Sequence, residues 1–267
     1  MDAQTGSRAA WRLLIDGDLP GARNMARDVA MLEAVAAGEA TPTLRLYGWD
    51  PPCMSLGRHQ GLDAANFDFC RSEGIDVVRR PTGGRALLHH LELTYAVIAP
   101  LNESPMPRGL QEAYRAICAV LVRAVRTLGV DAELTGGEVN LQLPSPNTTI
   151  PCFEAPAGGE VVVGGRKLIG SAMRAHAGAI LQHGAILVGW DGRLQAGAMG
   201  LDDDASLRSQ VTTLRDELGR ELPRAALDEA LVEAFGSELG VEFETEQPSD
   251  TERAREQELL GSFAVGG

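Results

Sequence analysis

Lysine is almost missing from this chain. Its 267 residues hold a single one, Lys167, against 23 arginines. A bias that writes arginine wherever only positive charge matters explains the imbalance and isolates the exception. A guanidinium keeps its proton, whereas a lysine amine is compact and can release one, so Lys167 is a candidate for a task arginine cannot do. Aromatic residues make up only 4%. No apolar run approaches the roughly 20 residues of a membrane helix. Residues 1–14 lack a basic segment followed by an apolar core, so no secretory signal is expected. Cys-x-x-Cys pairs are absent and the five histidines show no metal-finger spacing, which argues against structural zinc. Positive charge is short as well. A net charge of −13 excludes a general nucleic-acid binder, and 44% apolar residues exclude a disordered chain. The expectation is a soluble, cytoplasmic protein of one large domain, with no membrane or nucleic-acid partner.

The acidity is not spread evenly. Residues 201–267 carry 17 acids and 6 bases, net −11, leaving −2 for the first 200. An acidic partner is therefore expected to dock on the first part, where Arg23, Arg27, Arg58, Arg71, Arg79 and Arg80 lie.

The pattern mixes helices and strands without internal repeats. Asn24 is placed to cap a first helix whose apolar face holds Met25, Val29, Leu32 and Ala36. Residues 44–47 and 54–56 read as strands around the Trp49-Asp50-Pro51-Pro52 turn. Residues 77–80, 85–88 and 93–98 read as further strands, the first two separated by Pro81-Thr82-Gly83-Gly84. A helix over 109–128 follows from apolar residues at helical spacing. Pro144, Pro146, Pro151 and Pro156 dictate a loop. A hairpin over 160–169 turns at Gly164-Gly165, 179–188 is another strand, and Pro223 opens a late helix. A single domain over 1–247 is expected, with 248–267 as a charged, loosely attached tail.

Four segments join glycine to functional side chains beyond what packing asks. In 79–85, Arg79, Arg80 and Arg85 flank Thr82, Gly83 and Gly84, an arrangement for close backbone approach and for donors to a phosphate or carbonyl. In 165–172, Lys167 precedes Gly170, Ser171 and Ala172. Gln182-His183-Gly184 is the third. The fourth is Cys152, on the proline-bounded loop 151–156, where reactive groups tend to sit. A free thiol titrates near pH 8.5, so a nucleophilic Cys152 needs a neighbouring cation, and Lys167 follows 15 residues later. Cys53, Cys70 and Cys118 read as small core residues.

Taken in order, these segments resemble the superfamily of lipoate–protein ligases and octanoyltransferases, relatives of the biotin–protein ligases. The run 79–89, ending in His89, looks like its first signature, and 165–172 with 182–184 like its second. The resemblance spans about residues 11–240. It implies the α+β catalytic-domain fold of that superfamily, with mixed, largely antiparallel sheets flanked by helices. Arg85 stands where ATP-dependent lipoate ligases have a third glycine, and Glu92-Leu93 where they have Gly-Asn. With the Cys152-Phe153-Glu154-Ala155-Pro156 loop, this looks like the carrier-protein-dependent LipM branch. His90 stands where the family more often has aspartate.

That branch implies an acyltransferase moving octanoyl from octanoyl-acyl-carrier protein to one lysine of a lipoyl-domain protein, such as the glycine cleavage H protein. Cys152 would be the nucleophile and Lys167 its partner. Arg79, Thr82, Gly83, Gly84, Arg85, His89, Gly170, Ser171, Ala172, His183 and Gly184 would bind the substrate. A thioester donor needs neither cofactor nor metal, and a monomer suffices. An ATP-dependent ligase and an amidotransferase working between lipoyl domains remain as alternatives.

Overall fold

The structure is a computed structural model and describes residues 9–137 and 159–265. Its strands and helices follow in chain order. β1 (Ala9–Leu19), α1 (Gly21–Ala36), β2 (Thr43–Trp49) and β3 (Cys53–Leu56) open the chain. Next come α2 (Phe67–Glu73), β4 (Asp76–Arg79), β5 (Leu87–His89), β6 (Glu92–Pro100), α3 (Leu110–Thr127) and β7 (Glu133–Leu134). The hairpin β8 (Val161–Val163) and β9 (Arg166–His176) leads to β10 (Ala179–Leu187). Four helices follow: α4 (Gly192–Met199), α5 (Ala205–Gln210), α6 (Leu214–Leu218) and α7 (Arg224–Leu239). β11 (Val241–Thr245) and α8 (Asp250–Leu259) close the chain. Among the described residues no helix is long and apolar enough to cross a membrane.

Eight strands form one sheet in the order β11-β1-β2-β6-β10-β9-β8-β7. β1 runs parallel to both β2 and β11, and the other pairings are antiparallel. A small sheet, β4-β3-β5, is separate, so the strands read at 85–88 and 93–98 belong to different sheets.

Alternation along a strand sends successive side chains to opposite faces. On β6, Leu93, Tyr95 and Val97 join the core under α3 and α7, while Ala96 and Ile98 pack beneath α1. On β10 the same period turns Gln182 toward Cys118 of α3 and His183 toward Asp28 of α1. The small sheet packs with α2, α4 and α5 around Ala185 and Leu187 of β10. The α1 face of the large sheet therefore meets the small sheet along a seam, and the site lies in it.

Two expectations change. The first helix begins at Gly21 behind Pro20, not at an Asn24 cap. Asn24 is buried within it, its amide donating to the Leu19 and Gly48 carbonyls. Nor is the segment after Pro248 loosely attached. α8 lies on α1, and its charges are spent on buried arginines: Glu252 takes two bonds from Arg12 at 2.7 and 2.6 Å, and Glu256 accepts from Arg23 and Arg27. Phe263 packs beside Met25, Cys53 and Val78. The hydrophilic look of this stretch hid the docking, because ion pairs rather than apolar residues make it.

Burial alone would raise the Glu252 carboxyl, but the Arg12 guanidinium and the Ser249 cap hold it below its ordinary value. A depressed folded-state value contributes stability above the ordinary carboxylate range and loses it as the pH falls through the folded-state value. Glu252→Ala strands Arg12 and is expected to cost about 3 kcal/mol, read as a lower urea midpoint at pH 7. An unchanged midpoint would mean that α8 adds nothing to the fold.

Candidate active site

The seam between the sheets is a narrow apolar cleft of about 560 Å³, its open mouth included. The large sheet contributes Gly170, Ser171 and Ala172 of β9, His183 and Gly184 of β10, and Trp49 of β2. The small sheet and its turn contribute Ser55, Arg80, Gly84, Leu87 and His89. Glycine is required where β9 and β10 line it, because a Cβ at Gly184 would strike the Gly170 carbonyl, and would stand 2.9 Å from both Ser171 Oγ and the Tyr95 ring.

Lys167 stands beside this wall and is only 2% exposed. A Cβ on Gly170 would lie 2.9 Å from its Cε and 3.3 Å from its Nζ, so the amine packs against the backbone of the cleft wall because residue 170 has no side chain. Nζ donates a short hydrogen bond to Glu160, itself buried. Both ends of this ion pair are fixed by backbone. Glu160 N–H donates to Thr135 Oγ1 at 2.9 Å and Thr135 N–H to the Glu160 carbonyl at 2.9 Å. The Lys167 carbonyl accepts from Thr212 N–H at 2.9 Å. Sequence reading missed Glu160, though a signal existed. The hairpin sets Lys167 opposite Val162, two residues from Glu160, so an acid lies within reach across the hairpin.

His183 is held from both sides. Its Nδ1 donates to Asp28 at 3.0 Å, and its Nε2 then accepts from the Thr82 hydroxyl at 2.7 Å. Asp28 also accepts from Arg45 at 2.6 Å and from Tyr47 at 2.9 Å, all fully buried. Burial would raise the Asp28 carboxyl, but Arg45 and His183 outweigh it and keep it below its ordinary value. His183 therefore ties Thr82 of the turn to Asp28 of α1. Asp28 also escaped the sequence reading. It is the one acid in the α1 stripe of Met25, Val29 and Leu32, and a carboxylate in a core stripe needs a buried partner.

His89 forms a second chain. Its ring stacks on Trp49 with centroids 4.0 Å apart. Ser55 Oγ lies 2.9 Å from Nε2 and the Glu92 carboxylate 3.3 Å from Nδ1. Burial pulls the imidazole below its ordinary value despite Glu92, so it is neutral at neutral pH.

Two arginines of this turn brace the surrounding loops. Arg80 is buried and donates to the carbonyls of Ser55, Gly83 and Arg85. Arg79 donates to the carbonyls of Gly57 and Gln60. Of the expected binding residues, Gly84, His89, Gly170, Ser171, Ala172, His183 and Gly184 line the cleft, and Arg79, Thr82, Gly83 and Arg85 are not among its lining residues. Cys152 lies outside the described residues. Cys53, Cys70 and Cys118 are buried, as their sequence contexts imply.

Comparison with known proteins places this geometry. Residues 20–236 match the family described as the lipoyl protein ligase A/B catalytic domain. The chain belongs to that family. Among the curated relatives of this family member, the octanoyltransferase LipM of Kyrpidia tusciae is 38% identical over 263 residues, covering 95% of this chain and 96% of that one. The octanoyltransferase LipM of Symbiobacterium thermophilum is 39% identical over 259 residues and covers 94% of each. A solved lipoate-protein ligase A bound with ATP superposes with a TM-score of 0.77 at 25% identity over 94% of each chain. A bi-partite lipoate protein ligase from Thermoplasma acidophilum gives 0.75 at 23% identity, covering 95% of this chain and 92% of that one. The family member thus has the α+β ligase fold that its two glycine motifs imply.

Proposed function

We propose that this chain is an octanoyltransferase of lipoate biosynthesis. It takes octanoyl from octanoyl-acyl-carrier protein, holds it as a thioester on Cys152 and passes it to one lysine of a lipoyl-domain protein. The observation that carries the reading is the single lysine of the chain, buried at the wall of an apolar cleft. Its full-length relatives named octanoyltransferase agree with it.

The chemistry balances with one mobile proton. Cys152 thiolate attacks the donor carbonyl, and the Lys167 ammonium faces the developing oxyanion. The intermediate collapses by breaking the bond to the carrier sulfur, and Lys167 gives that sulfur a proton. The acceptor amine then attacks the Cys152 thioester. Its excess proton returns to Lys167 as the amide forms and Cys152 leaves as thiolate. Glu160 is the fixed counter-charge through both halves. The enzyme acts in this reading as a cytoplasmic monomer.

Intact-protein mass spectrometry tests this reading. Incubation with octanoyl-carrier protein, without ATP or acceptor, is expected to add one octanoyl group. Product formed only from free octanoate and ATP would instead make the chain a ligase. Faster acylation from an octanoylated lipoyl domain than from the carrier would make it an amidotransferase.

A further inference from the structure

The last stretch of the chain is joined to the walls of the cleft by two separate routes. The first is a line of side chains. Glu256 of α8 accepts from Arg27 Nε at 2.7 Å, and Arg27 Nη1 donates to Asp16 of β1 at 2.8 Å. The same Asp16 oxygen accepts from Arg45 Nε of β2 at 2.8 Å, and Arg45 Nη1 donates to Asp28 at 2.6 Å. Asp28 accepts from His183 Nδ1 at 3.0 Å, and the Thr82 hydroxyl donates to His183 Nε2 at 2.7 Å. His183 lines the cleft, and so does Gly84 of the turn that holds Thr82. Charge alternates in sign from Glu256 to Asp28, and no side chain from Glu256 to His183 is more than 9% exposed. A network this dry is cooperative, so a charge removed at one end is felt along it.

The second route is backbone and packing. Beyond α8 the chain runs along the outer edge of β4, the edge strand of the small sheet. Ala264 forms an antiparallel bridge with Val78. Arg79 N–H donates to the Phe263 carbonyl and Val265 N–H to the Val77 carbonyl, each at 2.9 Å. Arg79 ends β4, immediately before Arg80 of the cleft. The Phe263 ring packs on the cluster of Met25, Cys53 and Val78, which Trp49 also joins. Met25 and Trp49 line the cleft, so Phe263 stands one side chain behind its wall.

We infer that residues 249–265 form a clasp that sets the width of the acyl cleft, with Glu256 and Phe263 as its positioning residues. The inference rests on the octanoyltransferase reading above for what fills the cleft. That cleft is the gap between two sheets, and the clasp is bonded to both sides of it. α8 grips α1, which packs on the large sheet, while the tail pairs with the small one. Neither Glu256 nor Phe263 lines the cleft. Glu256 acts through His183 and Thr82, and Phe263 through Met25 and Trp49. Width matters to a thin apolar chain, because a gap of about 0.5–1 Å forfeits roughly a quarter to a half of each dispersion contact.

Acylation kinetics and histidine NMR on full-length variants test the clasp. Glu256→Gln is expected to shift the ring-nitrogen signals of His183 and to lower kcat/KM with octanoyl-carrier protein about tenfold, the scale of a displaced positioning group. Phe263→Ala is expected to raise KM about fivefold with kcat little changed, and to leave the His183 signals in place. Phe263→Leu, which refills most of the space, should recover most of the loss. Variants that lose urea stability yet keep wild-type kinetics and His183 signals would make the segment a prop for the fold and overturn the clasp. A fallen kcat/KM in Glu256→Gln with His183 unmoved would overturn the side-chain route. A wild type that forms no adduct with the carrier, while His183 still responds to Glu256→Gln, would sink the transferase reading and leave the clasp standing.

Discussion

Cys152→Ala is expected to leave the fold intact and abolish the octanoyl adduct. Transfer to a lipoyl domain should fall by about 10⁴-fold or more, the scale on which removing a covalent nucleophile is felt. The expectation gains force from the other cysteines. Cys53, Cys70 and Cys118 are buried. Burial lifts the Cys53 thiol well above its ordinary value, the Cys70 thiol to about 11 and the Cys118 thiol to about 12. A thiol titrating near 11 is ionised in about one molecule in ten thousand at pH 7, and the thiolate is the attacking species. None of the three can stand in for Cys152. Mass spectrometry after exposure to octanoyl-carrier protein decides the matter: an adduct that persists in Cys152→Ala moves the nucleophile elsewhere. Circular dichroism guards against a trivial loss.

The fold class and part of the cleft lining were legible in the sequence. Glycine-rich motifs marked the turn at 81–84 and the strand at 170–172, because close backbone approach admits few residue types. Those stretches do form the cleft. Side chains that act at a distance were harder to read. Asp28 and Arg45 meet His183 only after α1 is laid across β2 and β10, and nothing in their separate segments announces the contact. The arginines of 79–85 hid a second task for a related reason. The turn exposes carbonyls that need donors, and Arg80 supplies them. The parallel pairings of β1 were equally hidden. β11 is short and acidic, and its partner lies at the other end of the chain, so only tertiary packing reveals the pair. Composition proved informative where motif reading was silent. The count of one lysine singled out residue 167.

Lys167→Arg is the sharper test, because it keeps the charge and removes the proton. In the proposed cycle Lys167 gives a proton to the departing carrier sulfur and recovers one from the acceptor amine. A guanidinium cannot do the first at any useful pH. Octanoyl transfer is expected to fall by about 10²–10³-fold, within the range that positioned acid–base groups supply. Alkylation of Cys152 by iodoacetamide should keep most of its wild-type rate at pH 7, since the charge that the proposed cycle sets beside the thiol survives. Lys167→Met should lose both, the thiolate being no longer favoured. The structure explains why arginine is a demanding replacement even sterically. Nζ lies where a Cβ on residue 170 would be 3.3 Å away, and the Glu160 carboxylate receives it from a backbone pinned by Thr135. A planar fork must displace one of these to fit, so unfolding midpoints of both variants belong beside the kinetics. If Lys167→Arg folds as wild type and turns over near the normal rate, the proton has another carrier. Lys167 would then serve only as a fixed charge beside the thioester.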